Sequence, residues 1–289
     1  MHSSRVATAR GSGWTHPDPW ATAIRRGWSS GAGCPRHDRE SDWLTGAASP
    51  TSLRMRPDGP LTDVSDGLWT SAAPVRVAGL RLTSTMTVLR LRGRGLLVHS
   101  PVELTPELRA AVDALGVVEH LYAPNTYHHL SIGAWSLAFP SARVHAPAGL
   151  AKKRPDLRID RVHGAGPEPA FASVVHELPI EGFRLAESVL YHAPTRSLIV
   201  ADLVHNVGRP SHGYTAFYAR AMGFYDRVAL SRMIRWAAFP DRAASRRAID
   251  ALLARPIDRI VVGHGPPVVE AAEGTLRAAY TWLPARASR

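Results

Sequence analysis

From Leu80 onward the chain alternates short apolar runs of β type with amphipathic helical stretches, and this rhythm confines it to an α/β fold. The first run, LRLTSTMTVLRLR from Leu80 to Arg92, places Leu80, Leu82, Met86 and Val88 on one parity and Leu89 and Leu91 on the other. That change predicts either a bulge or a strand buried on both faces near Val88. Gly93 and Gly95 then mark a turn, and Leu96 to His99 forms the returning strand of a hairpin.

Thr105 followed by Pro106 predicts a helix start, with Leu108, Ala111, Val112 and Leu115 as its buried stripe and Gly116 as its stop. Val117 to Tyr122 is the next strand. Further on, Ser131 can cap a short helix through Trp135, and Val144 with His145 forms a brief strand. Leu150 to Arg154 makes a helical turn or two, and strands are expected over 171–178, 188–191, 198–201 and 259–262. Between 213 and 238 the apolar period becomes 3.6, a further helix runs from Asp241 or Ser245 to about Ala254, and a last one runs from about Pro267 or Val269 through Tyr280 and Trp282.

Residues 1–58 contrast with this order, since Gly, Ser, Arg, Trp and His are scattered without a period of 2 or 3.6. They are expected to be a disordered or spurious N-terminal extension, with Met55 as an alternative start, and 59–289 as one domain. Arg25-Arg26 has no apolar run after it to make an export signal, and no window reaches 18 uninterrupted apolar residues, so a cytoplasmic location is expected.

Cys34, the one cysteine, lies in that irregular segment, so the ordered part must draw its chemistry from His, Asp, Glu and hydroxyl groups. The net charge of +11 is spread over helices without a block of five like charges. A dedicated nucleic-acid binder is therefore not expected.

Three places put polar residues directly after an apolar strand, where α/β folds gather their functional loops. The first is LYAPNTYHHL, ending in His128 and His129; adjacent histidines in a turn point in different directions, so one can meet a metal while the other packs or faces water. The second is LIVADLVHN, where an aspartate closing an apolar strand needs a cation or hydrogen-bond donors, and Asp202 could instead cap the next turn. In the third, IVVGHGP, glycines flank His264 and allow close backbone approach, although a structural imidazole would serve as well. Glu187, at the head of the strand SVLY, is a fourth candidate, with Glu181 as the competing acid.

These junctions, taken in order, resemble the metallo-β-lactamase superfamily over about Leu68 to Tyr280. The runs HSPVELTPEL, APNTYHHL, AESVLYH and VADLVHN are more closely similar to its DUF4336 branch. The resemblance implies a four-layer αββα sandwich. It aligns His129 with the last histidine of the family's first motif, Asp202 with its bridging aspartate and His264 with its terminal histidine. Pro124 and Thr126 replace the leading histidines of that motif and His128 replaces its aspartate, so the family's first metal position has lost its histidines.

What remains implies one divalent metal, zinc first with iron or manganese also compatible, held by His128, His129, Asp202 and His264, with Glu187 in or beside the sphere. Three protein ligands would leave room for one metal-bound water, whereas four would close the site. The first functional reading is a metal-dependent hydrolase of a small substrate, with Asp202 handling the water's proton and Asn125 or His128 stabilising the oxyanion. The second is a non-catalytic domain whose metal site is structural or vestigial. A third, weaker reading takes the aromatic and arginine-rich segment 213–240 to an anionic membrane surface; a helical lid at about 208–240 is preferred. Homo-oligomerisation is compatible with all three.

Some attractive motifs carry little. His99 and Ser100 are strand neighbours that point to opposite faces, Gly93-Arg94-Gly95 is too short to cradle phosphate, and Lys152-Lys153-Arg154 reads as a wetted helix face. His192 and His205 are candidate accessory residues, read first as packing or surface histidines.

Overall fold

The computed structural model describes residues 59–284. The expectations for residues 1–58, including the start at Met55, lie outside the described residues.

Seven strands form the first sheet in chain order: β1 (Thr62–Ser65), β2 (Leu68–Val77), β3 (Leu80–Arg90), β4 (Gly95–His99), β5 (Val117–Tyr122), β6 (Arg143–Ala146) and β7 (Arg161–Val162). Pairing is antiparallel from β1 to β4 and parallel from β4 to β7. The second sheet has the order β11-β10-β9-β8, with β8 (Val175–Pro179), β9 (Ser188–His192), β10 (Ser197–Ile199) and β11 (Arg259–Val261). In this sheet β10 and β11 are parallel and β9 runs against both its neighbours.

Helices cover the outer faces. On the first sheet, Val88, Leu96, Val98 and Leu121 pack with residues of α1 (Pro106–Leu115), α2 (Ile132–Ala138) and α3 (Ala148–Lys153). On the second, Val189, Leu198 and Ile260 pack with α6 (Arg242–Leu253) and α7 (Ala272–Ala279). Two further helices, α4 (Gly213–Met222) and α5 (Arg232–Ala237), lie between β10 and α6 in sequence. Between the sheets, Leu68, Leu89, Leu97 and Tyr122 meet Phe171, Val175, Leu190 and Ile199. The result is the expected four-layer αββα sandwich.

The parity change in β3 has a simple cause. Its ladder with β2 runs without a shift from Leu80 to Leu89, so there is no bulge; Val88 belongs to the outer cluster and Leu89 to the inner one. Thr105 caps α1 as expected, its Oγ1 accepting the Leu108 N–H at 3.2 Å, and Asp241 caps α6 through the Ala244 N–H at 2.8 Å.

Three boundaries differ from the sequence reading. Residues 171–174 are not strand: the Val174 and Val175 N–H groups both donate to the Phe171 carbonyl, which coils the chain until β8 begins. The long helical pattern after 213 is broken at Gly223, whose φ of 78° ends α4 in a left-handed cap. The last helix starts only at Ala272, because Val268 first exchanges two backbone hydrogen bonds with Ile260 and Pro266-Pro267 keep the preceding chain extended.

Candidate metal centre

Strand direction brings the candidate residues to one end of the sandwich. The parallel strands β4 and β5 end at Ser100 and at the 123–130 loop, while β10 and β11 end at Asp202 and His264. Because β9 runs the other way, its start, with Glu187 just before it, lies beside the end of β10.

At this end His128, Asp202 and His264 each aim one ligand atom at a common point, all within 4.8 Å of one another. His128 Nε2 lies 3.5 Å from Asp202 Oδ2, and His264 Nε2 lies 3.5 Å from Oδ1. His205 joins them, with its Nε2 at 3.3 Å from Oδ1. These separations are long for hydrogen bonds, whose usual length is about 2.9 Å. They suit donors around a tetrahedral ion: bonds of about 2.0–2.1 Å put neighbouring ligands about 3.3–3.4 Å apart. The donor set of imidazole nitrogens and a carboxylate fits a divalent metal, zinc included.

Each group is held from behind. Asn125 is fully buried; its Oδ1 accepts the Tyr127 and His128 N–H groups at 2.8 Å each, which folds the loop and turns His128 inward. Its Nδ2 donates to Asp202 Oδ2 at 2.8 Å and to Glu187 Oε2 at 3.1 Å. Glu187 accepts three backbone N–H groups from the turn after β10, those of Ala201, Asp202 and Leu203. His264 Nδ1 donates to the Thr83 carbonyl at 2.6 Å, and His128 Nδ1 is 2.8 Å from Ser100 Oγ. The glycines around His264 are needed: a Cβ on Gly263 would come to 2.5 Å from the Ala201 oxygen, and one on Gly265 would overlap the Asn206 carbonyl.

The electrostatics follow from this crowding. Burial alone would raise the Asp202 carboxyl, but the neighbouring His128, His205 and His264 hold it well below the usual carboxylate range. His264 is raised, the Asp202 carboxylate outweighing its burial, and His205 is lowered chiefly by burial. Glu187 is pushed up to about 7 by burial and then by the Asp202 charge. A cation at the common point would relieve this concentration of negative charge.

Three expected roles change. His129 does not join the cluster: its Nδ1 lies 3.4 Å from an Arg154 guanidinium nitrogen, and burial together with Lys153 and Arg154 lowers it to about 4. Adjacent residues leave the Asn125 turn in opposite directions, so bringing His128 in sends His129 toward α3. Asn125 is not placed to stabilise an oxyanion, because its amide already serves Asp202 and Glu187. Glu187 stands behind Asp202 and supports its turn instead of sharing the common point.

Sequence reading set His205 aside as a packing or surface residue, discounted Ser100 and did not single out Thr83. The Asp202-x-x-His205 spacing was the available signal, since a turn after the strand sets both side chains on one side. For Ser100 and Thr83 there was none, because their contacts span 28 and 181 residues.

No family model matches the chain, and no curated protein matches it. Among solved structures it is similar to the DIM-1 metallo-β-lactamase exposed to ceftazidime, at 12% identity and TM-score 0.55, over 77% of this chain and 96% of that one. A metallo-β-lactamase from Pontibacter korlensis matches at 14% identity and TM-score 0.54, over 77% and 97%. The putative diflavin flavoprotein A 5 fragment from Nostoc matches at 15% identity and TM-score 0.54, over 78% and 95%. At these identities the likeness is one of architecture: the domain has the metallo-β-lactamase fold.

Proposed function

We propose that this protein is a hydrolase dependent on one divalent metal ion, zinc by preference, acting on a small ester, amide, thioester or phosphoester. The observation that carries the reading is the convergence of His128, Asp202 and His264, whose ligand atoms lie within 4.8 Å of one another, with both imidazoles 3.5 Å from a carboxylate oxygen, a separation closer to metal-ligand spacing than to hydrogen bonding. A bound ion would supply Lewis-acid activation of water and of the substrate's polar oxygen. His128 and His264 would hold it through Nε2 and Asp202 through its carboxylate. Asn125 and Glu187 fix the Asp202 carboxylate and its turn. His205 Nε2, against Asp202 Oδ1, is placed to hold or pass a proton there.

The helical segment at about 208–240 serves in this reading as a lid. Its connection to the site is short: the His205 N–H donates to the Ala229 carbonyl at 3.2 Å and the Ala229 N–H returns a bond at 3.0 Å, while Phe224 meets the His205 ring edge-on. No described helix is long and apolar enough to cross a membrane, and the proposed substrate is a small molecule. The DUF4336 resemblance is consistent with the fold and with the reduced ligand set.

A second reading has support from the same geometry. If His205 served as a fourth protein ligand, the tetrahedral sphere would be closed and the metal structural. Metal analysis of untagged protein should find close to one equivalent, and a panel of activated esters, thioesters and phosphodiesters should reveal turnover that chelation removes. Cobalt-substituted protein separates the readings: a small anion shifts the visible spectrum of an open site and leaves a closed one unchanged. Folded protein that retains no metal would sink both.

A further inference from the structure

Of the three imidazoles that face Asp202 through Nε2, the two read as metal ligands, His128 and His264, are anchored differently at Nδ1. His264 has a fixed acceptor, the Thr83 carbonyl, whereas His128 has a hydroxyl, Ser100 Oγ at 2.8 Å. A carbonyl can only accept, but a hydroxyl both donates and accepts, so it can match either protonation pattern of the ring. Ser100 is buried and sits immediately after β4, where its N–H donates to the Tyr122 carbonyl at 2.8 Å and so extends the β4–β5 pairing by one residue.

Its backbone is unusual for a serine. Ser100 has φ of 52°, in the left-handed region that favours glycine, and it precedes Pro101, which disfavours helical backbone geometry at that position. Strand pairing alone does not require this conformation. Its effect is to turn the residue out of the strand's alternation, so that its hydroxyl reaches the His128 loop.

The structure assigns Ser100 as a positioning residue for metal binding: its hydroxyl fixes the His128 ring so that Nε2 faces Asp202. This rests on the reading of His128, Asp202 and His264 as metal ligands. A ligating imidazole that loses its outer hydrogen-bond partner must spend orientational freedom on each binding event, and such losses weaken metal affinity by about 10–100-fold.

The experiment is zinc titration against a chromophoric chelator for the full chain and for Ser100→Ala and Ser100→Gly, alone and combined with His128→Ala, with thermal unfolding of each metal-free protein. Alanine removes the hydroxyl and keeps the left-handed strain, while glycine removes the hydroxyl and relieves it. Both single variants are expected to bind zinc about 10–100-fold more weakly. The metal-free glycine variant should be at least as stable as the unaltered protein, and neither substitution should weaken zinc binding further once His128 is alanine. Unaltered protein that binds zinc while both variants bind it equally well would overturn the role of Ser100 alone. So would a loss that persists in the His128→Ala background, or one seen only for alanine, since either would mark a structural effect. Failure of the unaltered protein to bind zinc would overturn the metal reading and this inference with it.

Discussion

Glu187 Oε2 accepts the Asp202 N–H at 2.8 Å while Asn125 Nδ2 bridges the same oxygen to the Asp202 carboxylate, so two acids that repel one another are joined through a backbone amide and a side-chain amide. Replacing Glu187 with Gln would put a donor where acceptors are required by three N–H groups and Asn125. At least one buried donor would lose its partner, at a cost of about 1–3 kcal/mol. Glu187→Gln is therefore expected to lower the denaturant midpoint and to weaken metal binding, both measurable on the same preparation. Unchanged values in both assays would show that the turn after β10 holds its shape without the carboxylate.

The adjacent histidines should behave oppositely. His128→Ala removes a donor from the cluster and is expected to weaken metal binding so far that gel filtration strips the metal, while titration still detects weak residual binding. His129→Ala removes a ring beside Arg154 and should leave metal content intact. Elemental analysis of the two purified variants checks the assignment, and the reverse pattern would restore His129 as the ligand.

The site was readable in the sequence only as far as strand ends could carry it. Asp202 and His264 follow apolar strands directly, so their place at one end of the sandwich follows once the strands are paired. His128 and His129 could not be separated by that logic, because the direction of each is decided by Asn125 Oδ1 capturing two N–H groups in the intervening turn. His205 was dismissed as a packing residue because its partner, the Asp202 carboxylate, is reached through a turn with no regular period. The layers of the fold were more legible, since a mixed parity such as that of Val88 and Leu89 is what a strand between two apolar layers requires. Where the reading failed, at 171–174 and near 223, local turn geometry had overridden an apolar pattern.

Gly265 should tolerate no side chain. Its φ is 105°, and a Cβ would run into the carbonyl of Asn206, whose N–H also binds the His264 carbonyl at 2.9 Å. Gly265→Ala must push the His264 loop away from the turn that carries Asp202. Loss of metal binding is expected, with a destabilisation of more than about 2 kcal/mol from backbone strain and lost hydrogen bonds. Gly274, exposed within α7 and with open space around its Cβ position, provides the control: its alanine variant should bind metal like the unaltered protein and be slightly more stable, by about 0.5–1 kcal/mol, because alanine is the better helix former.

A second group of histidines lies across the inner face of the first sheet, away from the cluster, and makes stability depend on pH. His120 Nδ1 is 2.9 Å from His145 Nε2, and His163 stacks with Tyr122 at a ring separation of 4.4 Å. Burial is the main cause that lowers His120 to about 4 and His145 and His163 to about 3. In the unfolded chain these rings titrate near 6.5. Above that value both states are neutral and the full stability is present; as the pH falls below it, the unfolded chain takes up protons that the folded one refuses. These three rings should therefore contribute a drop in stability between about pH 6.5 and 4 with a slope approaching three protons, each worth about 1.4 kcal/mol per pH unit, added to that of His99, His129 and His192, which burial also lowers. Denaturant unfolding of metal-free protein at several values from pH 7.5 to 4.5 measures that slope, and His145→Phe should reduce it by nearly one proton. An identical slope in the variant would mean that His145 is protonated as readily inside the fold as outside it, against its burial between the two sheets.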